Sequence, residues 1–214
     1  MRVGVLGTGT VASALGGGFS GLGYEVRFGT RDPQSDKAKA LAAKVGSKAS
    51  IGTFADAAQF GDLVVLATLW KGTENAIRLA GPEHLAGKVV IDTTNPLDFD
   101  NGVPPTLALG YNDSAGEQVQ RWLPHARVVK AFNIVGNAHM VRPQFPGGPP
   151  DMFICGNDDA AKRTVQEICE AFGQPASDLG GIEMSRYLEP LAMVWIVYGF
   201  RHNTWNHAFK LLRK

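Results

Sequence analysis

The chain has few cysteines and little net charge, and each of these shortages excludes a class of protein. Only two of its 214 residues are cysteine, Cys155 and Cys169, which is too few for a disulfide framework. We expect both thiols to be reduced and mostly buried, which makes the cytoplasm the expected compartment. A formal net charge of +1 gives no electrostatic basis for binding nucleic acid or an acidic membrane surface.

Long apolar segments are also lacking. The run from Leu191 to Phe200 is uncharged, but a transmembrane helix needs about 20 such residues. Near the N-terminus, glycine, threonine and serine interrupt every apolar run, so the core of a secretory signal peptide is missing. We therefore expect a soluble protein that does not use a membrane. The run 191–200 then belongs either to the core or to the interface of a homodimer.

Glycine, by contrast, is abundant, and the N-terminal stretch indicates one use for it. Residues 2–31 read RVGVLGTGTVASALGGGFSGLGYEVRFGTR, which predicts a buried strand, a glycine turn, a helix and a second strand. The turn begins at Gly7 and matches GxGxxA, the alanine form of a dinucleotide-binding fingerprint. In that motif Gly7 permits the tight turn, Gly9 lets the backbone approach a pyrophosphate, and Ala12 lets the helix lie close to the strand. The positive end of the helix dipole then faces the phosphates.

The end of the second strand indicates which dinucleotide is bound. NAD-binding units place an acidic residue there, whereas this chain has Thr30 and Arg31. Thr30 can donate a hydrogen bond, and the guanidinium of Arg31 can bind a 2′-phosphate through a planar, permanently charged fork. Asp32 is the NAD-type acid if the strand ends one residue later, but before Pro33 it is more simply the N-cap of the next helix. The pattern favours NADP.

Beyond Arg31 the chain alternates between strand patterns and helix patterns. The predicted strands are 63–67, 88–92, 127–132 and 151–156, with at most a short strand at 50–52. The predicted helices are 36–46, one that begins after Thr53, 73–80, 114–123, 158–172 and, as one or two helices bent at Pro190, 182–212. This alternation predicts a doubly wound α/β fold with a mostly parallel sheet that ends with the strand 127–132.

Two stretches lack such patterns. Residues 97–113 are predicted to form a long surface loop, of the kind that often binds ligands. The clearest break in composition is Gly147-Gly148-Pro149-Pro150. It separates a main domain, predicted as residues 1–145, from a smaller C-terminal segment, residues 146–214.

In a doubly wound sheet, ligands bind beyond the carboxyl ends of the strands, and several predicted strands are followed by polar or aromatic residues. Thr68 to Trp70 lie where the nicotinamide ribose or the adenine side would pass, although Trp70 is equally consistent with a core aromatic. The amide of Asn95 either bonds its own backbone in the turn with Pro96 or orients a nicotinamide. Asn133 lies just past the end of the strand 127–132.

Few other side chains are candidates for chemistry. His139 is the only one of the five histidines in a loop near the strand ends, so it is either a proton donor or a solvent-exposed loop residue. His202 and His207 are five residues apart, which is the wrong spacing for a metal site on one helix face. No metal site is predicted. Arg186 and Glu189 are three apart, which predicts an ion pair within a helix, with a contact of Arg186 to cofactor or substrate as the less favoured alternative.

Taken together, several segments resemble one protein family. They are GTGTVASAL with FGTRDP, ATLW, DTTNP, KAFN, FICGNDD and SRYLEPLAM. In this order they resemble the NADP-dependent oxidoreductases of the deazaflavin coenzyme (F420) family and the related cytosolic reductase domain of STEAP-type metalloreductases. The resemblance extends over nearly the whole chain. It implies a Rossmann domain with a small C-terminal α+β or helical segment that closes over the active site, and direct hydride transfer between NADPH and a flavin-like ring.

The resemblance also implies roles for individual residues. Thr8, Gly9, Thr10 and Val11, after the turn at Gly7, would bind the pyrophosphate, and Thr30 and Arg31 would bind the 2′-phosphate. Leu69 and Trp70, after Thr68, would line the ribose side. The residues beside the nicotinamide would be Asn95, Pro96, Ala131, Phe132 and Asn133. Asn95 and Asn133, with His139, are therefore the candidate catalytic residues.

The electron acceptor is less well defined than the cofactor. Deazaflavin enzymes of the family commonly open with a GGTG turn, whereas this chain has GTGT followed by Val11 and Ala12, and its loop after Asn133 is longer. We predict NADP(H) as the cofactor and a small-molecule acceptor, with a flavin or deazaflavin as the expected substrate. A ferric chelate, a small carbonyl or an imine are alternatives, as is a protein that senses NADP(H) without catalysis.

Overall fold

The computed structural model describes residues 1–214, and its centre is an eight-stranded sheet. The strands are β1 (Arg2–Leu6), β2 (Glu25–Thr30), β3 (Ala49–Thr53), β4 (Leu63–Leu66), β5 (Val89–Asp92), β6 (Leu97–Asp98), β7 (Thr106–Leu107), β8 (Arg127–Lys130), β9 (Met152–Gly156) and β10 (Ala176–Asp178). The helices are α1 (Thr10–Gly21), α2 (Asp36–Val45), α3 (Phe54–Phe60), α4 (Trp70–Ala80), α5 (Pro82–Leu85), α6 (Ala115–Trp122), α7 (Asp159–Ala171) and α8 (Ser185–His202).

The strand order across the sheet is β10-β9-β8-β5-β4-β1-β2-β3. All neighbours from β8 to β3 are parallel, so the predicted doubly wound, mostly parallel α/β fold is confirmed. The prediction that the sheet ends with residues 127–132 is wrong, because β9 pairs antiparallel with β8 and β10 extends the sheet further. The strand also stops at Lys130, since Phe132 adopts a left-handed backbone with φ of 61°. The C-terminal segment thus shares the sheet of the N-terminal part.

Alternate residues of the central strands enter two cores, one on each face of the sheet. Val3 and Val5 of β1 pack on the side of α1, α2 and α7, whereas Leu6 packs on the side of α3, α4 and α6. All three side chains are fully buried. This explains why the strands appear in the sequence as continuous apolar runs rather than alternating ones.

Helix α1 contains three consecutive glycines, and two of them face large side chains. A Cβ on Gly16 would collide with the ring of Phe28, and one on Gly18 would collide with the ring of Phe172. The close contact offsets the cost of glycine in a helix, which is about 1 kcal/mol per residue relative to alanine. Close packing therefore explains two of the three glycines.

The region predicted as helical from 182 to 212 is helical only in its first part. Helix α8 is continuous from Ser185 to His202, with Pro190 inside it, and it ends at Asn203, where φ is 47°. Residues 203–214 form no regular element and fold back along the sheet, where the Leu211 amide donates to the Asp151 carboxylate at 3.0 Å. None of the helices is both long and apolar enough to span a bilayer.

The predicted loop 97–113 contains a small antiparallel hairpin. Its strands β6 and β7 pair Leu97 with Leu107, and β7 contacts helix α8. At its tip, Asp100 lies 3.7 Å from the ammonium of Lys71 at the start of α4. The hairpin therefore lies over the carboxyl edge of the sheet, between two helices.

Candidate active site

The structure places nearly all predicted site residues along one edge of the sheet. They follow or end the neighbouring parallel strands β8, β5, β4, β1 and β2, and they are Gly7 to Val11, Thr30 and Arg31, Thr68 to Trp70, Asn95 and Pro96, and Ala131 to Asn133. Carboxyl ends of parallel strands share an edge, so residues far apart in sequence come together there.

The turn after β1 has the geometry that the glycine motif requires. Gly7 adopts a φ of 133°, and a Cβ there would collide with the carbonyl of Ala67. Gly9 is the N-cap of α1, but no side chain caps this end of the helix. A Cβ on Gly9 would meet nothing within 4 Å. The space beside Gly9, at the positive end of the helix dipole, is therefore open, which fits an anion such as a pyrophosphate.

After the end of β2, Asp32 belongs neither to the strand nor to the next helix. The Asp32 carboxylate accepts a hydrogen bond from the Gln34 amide at 3.0 Å, which forms a turn. Helix α2 begins at Asp36 with Ser35 as N-cap, so the prediction that Asp32 caps it is wrong. The local turn competed with the helix for this side chain. The strand ends at Thr30, and the following Arg31 is exposed and forms no ion pair.

The segment after β4 combines an exposed apolar residue with a packed one. The Leu69 side chain is 81% exposed, whereas the Trp70 ring stacks on Trp122 of α6 with centroids 5.5 Å apart. The hydroxyls of Thr68 and Thr73 lie 2.9 Å apart. The structure therefore gives Trp70 a packing partner and leaves Leu69 free to contact a ligand.

Asn95 and Asn133 form a pair joined by two hydrogen bonds. The Asn95 amide donates to the Asn133 carbonyl at 2.8 Å, and the Asn133 amide donates to Asn95 Oδ1 at 3.0 Å and to the Leu188 carbonyl of α8 at 3.1 Å. The alternative in which the Asn95 side chain bonds its own backbone is wrong. Asn133 is only 6% exposed, and its Oδ1 is buried without a hydrogen-bond partner, which is uncommon in proteins.

The residues next to this pair in the sequence are buried. The side chains of Ala131 and Phe132 are fully inaccessible, and the Phe132 ring lies 5.9 Å from that of Phe172. Pro96 is also buried, and its carbonyl accepts from the Ala108 amide after the β6–β7 hairpin at 2.7 Å. These three residues shape the site through their backbone rather than through exposed side chains.

Beneath the asparagine pair lies a buried ion network that the sequence does not predict. The ammonium of Lys130 lies 2.8 Å from Asp92 and 3.1 Å from Glu189, and it donates to the Thr94 carbonyl at 2.6 Å. Lys130 and Asp92 are fully buried, and Glu189 is 1% exposed. The sequence carries one indication of this network. Asp92 and Lys130 each end an apolar strand, in VVID and RVVK, and Glu189 lies within the apolar part of α8. Such residues are rarely buried unless they are paired.

The electrostatics of this network keep Lys130 charged. Burial acts against the charge, yet Asp92 and Glu189 together raise the pKa of Lys130 above its usual value. Burial raises the pKa of the Glu189 carboxyl, against the opposing effects of Lys130 and the amides of Ala115 and Gly116. These two amides, at the N-terminus of α6, each donate to Glu189 at 3.0 Å.

The predicted ion pair between Arg186 and Glu189 is wrong. Arg186 donates to Glu117 of α6 instead, through Nε at 2.8 Å and through a second guanidinium nitrogen. Glu189 lies on the buried face of α8 with Leu188 and Ala192. A spacing of three residues did not pair them, because each side chain has a stronger partner on another element.

No histidine forms a hydrogen bond with the asparagine pair. The His139 ring lies 4.6 Å from the ring of Phe145 and 3.3 Å from the Asn206 amide oxygen, and neither neighbour is a predicted site residue. His207 lies 2.9 Å from the Trp195 carbonyl. No group of three His, Cys, Asp or Glu side chains is arranged to bind a metal ion.

Comparisons with known proteins agree with this geometry. A family model described as "NADP oxidoreductase coenzyme F420-dependent" matches residues 2–96. The F420-dependent NADP reductase of Methanocaldococcus jannaschii is 33% identical over 151 residues, which is 70% of this chain and 67% of that protein. A solved structure of a proposed F420-dependent NADP reductase from Arthrobacter sp. FB24 is 40% identical, covers 100% of both chains and superimposes with a TM-score of 0.94. Metalloreductase STEAP3 of Rattus norvegicus is 28% identical over 90% of this chain, but the match spans only 36% of that longer relative.

Proposed function

The chain belongs to the family of coenzyme F420-dependent NADP oxidoreductases, and on that premise we propose that it transfers hydride between NADP(H) and a flavin- or deazaflavin-type acceptor. The observation that carries the proposal is the arrangement at the carboxyl edge of the sheet. An open, positively polarised helix end lies on the same edge as an asparagine pair, of which Asn95 is half-buried. The first suits the phosphates of the cofactor, and the second suits the carboxamide of its nicotinamide.

The proposed phosphate contacts come mainly from the backbone. Gly7 to Val11 would surround the pyrophosphate, because Gly7 and Gly9 place no Cβ in the space in front of α1. Thr30 and Arg31 would bind the 2′-phosphate. An exposed arginine without an ion-pair partner can turn its guanidinium toward a phosphate and form two parallel hydrogen bonds. Asp32 does not compete for the ribose, since its carboxylate is bonded to Gln34.

When bound, NADPH supplies the hydride itself, so the chain has to orient the ring and exclude water. Asn95 and Asn133 are the proposed orienting groups, with Thr68, Leu69, Trp70, Pro96, Ala131 and Phe132 around them. We propose that residues 146–214 close this side of the site, because α8 contacts Asn133 through the Leu188 carbonyl. A flavin-type acceptor needs no dedicated acid or base, which agrees with the hydrogen bond of His139 to Asn206 rather than to the pair.

The test is oxidation of NADPH and NADH against FMN, FAD, a deazaflavin and a ferric chelate. We expect turnover with NADPH and with a flavin-type acceptor. Arg31→Ala should weaken NADPH binding by about tenfold or more, because a charge-assisted phosphate contact contributes about 1.5–3 kcal/mol. The matched control is Arg163→Ala, which removes another exposed arginine on α7. Tight NADPH binding without turnover on any acceptor would contradict the proposal and favour the sensor.

We also propose that the protein forms a homodimer through the outer face of α8. The apolar side chains exposed there are Tyr187, Val194, Val197, Tyr198 and Phe200. A row of this kind on one helix is typical of an interface rather than of a solvated surface. Light scattering at micromolar concentration should give the mass of two chains, and Val194→Glu should give the mass of one. A monomeric wild-type protein would remove this proposal.

A further inference from the structure

The two asparagines are attached on both sides to the buried ion network. The Lys130 ammonium donates to the carbonyl of Thr94, the residue immediately before Asn95, at 2.6 Å. The amide of Asn133 donates to the carbonyl of Leu188, the residue immediately before Glu189, at 3.1 Å. Lys130 and Glu189 are themselves joined at 3.1 Å. A displacement of either charged residue therefore moves the backbone that anchors one of the asparagines.

The network has no freedom to rearrange without cost. Asp92 and Lys130 end the adjacent strands β5 and β8 and are direct neighbours in the sheet register. Asp92 also accepts from the amide and the hydroxyl of Thr94, at 2.9 and 2.7 Å. A buried carboxylate that loses its ammonium becomes an uncompensated charge, and a buried ammonium that loses one of two carboxylates loses part of the attraction that holds it in place. The positions of the three charged groups are thus strongly restrained.

We propose that Lys130 and Glu189 are positioning residues for the nicotinamide, acting through Thr94 and Leu188 on the Asn95–Asn133 pair. The inference rests on the proposed function, because it assumes that this pair meets the nicotinamide. Neither charged group is exposed, so neither contacts substrate or cofactor. Their effect is on orientation. A shift of about 1 Å in a positioning group can cost a factor of about 100 in rate.

Another lysine of the same chain provides a matched control. Lys162 on α7 also contacts two carboxylates, Asp159 at 3.1 Å and Asp178 at 2.7 Å, and its side chain is only 8% exposed. These partners lie on α7 and β10, at the edge of the sheet beyond β9 and away from the asparagine pair. A purely structural role predicts that the loss of either lysine lowers stability and leaves the ratio of the NADPH and bisphosphate affinities unchanged. A positioning role predicts a difference in nicotinamide binding and turnover.

The experiment compares the full-length wild type with Glu189→Gln, Lys130→Met and Lys162→Met. Glu189→Gln keeps the shape of the side chain and removes its charge. It therefore tests the positioning role even if Lys130→Met fails to fold. Each protein is titrated with NADPH and with adenosine 2′,5′-bisphosphate, which carries the adenosine half and the 2′-phosphate but no nicotinamide. Melting temperature, kcat and KM are measured in parallel.

We expect Glu189→Gln to bind the bisphosphate as the wild type does, to bind NADPH about fivefold or more weakly, and to lose about tenfold or more in kcat. Lys162→Met should lower the melting temperature and leave the ratio of the two affinities and kcat unchanged. The inference would be overturned if the ratio of the two affinities were the same in Glu189→Gln and the wild type. This includes the case in which both ligands bind more weakly by the same factor. A wild type that binds NADPH but turns over no acceptor refutes the proposed function alone, since the affinity ratio still tests the positioning role.

Discussion

At the end of β1 the candidate site consists of backbone and open space, whereas at the ends of β5 and β8 it consists of buried side chains. The first region is built by Gly7 and Gly9, which contribute no side-chain atoms. The second is built by Lys130, Asp92 and Glu189, which are at most 1% exposed. We call them the open half and the closed half. The open half is preorganised by backbone conformation. The closed half is preorganised by buried opposite charges, whose separation costs much free energy.

The largest effect should come from the closed half. Lys130→Met leaves the carboxylates of Asp92 and Glu189 buried without a cation, and we expect it to lower the free energy of unfolding by about 3–5 kcal/mol. Lys162→Met should cost about 1 kcal/mol, because Asp159 and Asp178 can be solvated. Urea unfolding of both variants measures the difference. Equal losses would mean that the closed half is not held by its charges.

Within the open half, Gly7→Ala should destabilise the fold itself. Its φ of 133° is unfavourable for any residue with a Cβ, and the added methyl group would collide with the Ala67 carbonyl. We expect a loss of about 1–3 kcal/mol in the free energy of unfolding. The same measurement on Gly17→Ala, where the methyl group meets nothing within 4 Å, is the control and should show no loss. A stable Gly7→Ala variant would show that the turn can relax.

Gly9→Ala should have the opposite profile, with a loss of binding and little loss of stability. Gly9 has a φ of −81°, which alanine adopts readily, and no atom lies within 4 Å of the new methyl group. The unfolding free energy should therefore change by less than about 0.5 kcal/mol. NADPH affinity should fall about tenfold or more, which is about 1.4 kcal/mol, because the methyl group occupies the proposed phosphate space. Isothermal titration tests this, and unchanged affinity would place the phosphates elsewhere.

The smallest effect concerns the two thiols. Burial raises the pKa of Cys155 to about 11 and that of Cys169 to about 12, so neither should react with a disulfide reagent at neutral pH. Cys155 Sγ lies 3.3 Å from the hydroxyl of Ser185, where α8 begins. Because Glu189 lies on the same helix as Ser185, Glu189→Gln should speed the reaction of Cys155 and leave Cys169 unreactive. Mass spectrometry of the labelled peptides would show this difference. Equal labelling of both thiols would indicate general loosening instead.

The open half could be predicted almost completely from the sequence, because its information is local. Gly7, Gly9 and Ala12 are adjacent in the chain, and each has a physical reason that applies before the fold is known. The strand-end rule also predicted that Asn95 and Asn133 would lie at one edge, since it needs only the order of strands and not their contacts. The family assignment was likewise within reach, because its motifs are spread over nearly the whole chain.

The closed half could not be predicted in the same way, because its partners come from distant elements. Asp92, Lys130 and Glu189 lie on two strands and a helix, and nothing in their spacing indicates a contact. The predicted pair of Arg186 and Glu189 failed because spacing on a helix does not reveal which face is buried. The antiparallel strand β9 was missed as part of the main sheet for a related reason, since its sequence carries no signal for strand direction.

The contact of Glu189 with the amide of Ala115 joins residues 74 positions apart and has a consequence for folding. During synthesis the glycine turn and its flanking strands are complete long before α8 leaves the ribosome, so the open half can form early. Until then Lys130 has one carboxylate fewer, and the first amides of α6 lack their acceptor. Contacts of such long range slow folding because the chain must close a large loop before it gains them. The arrival of α8 therefore determines when the nascent chain acquires a complete site.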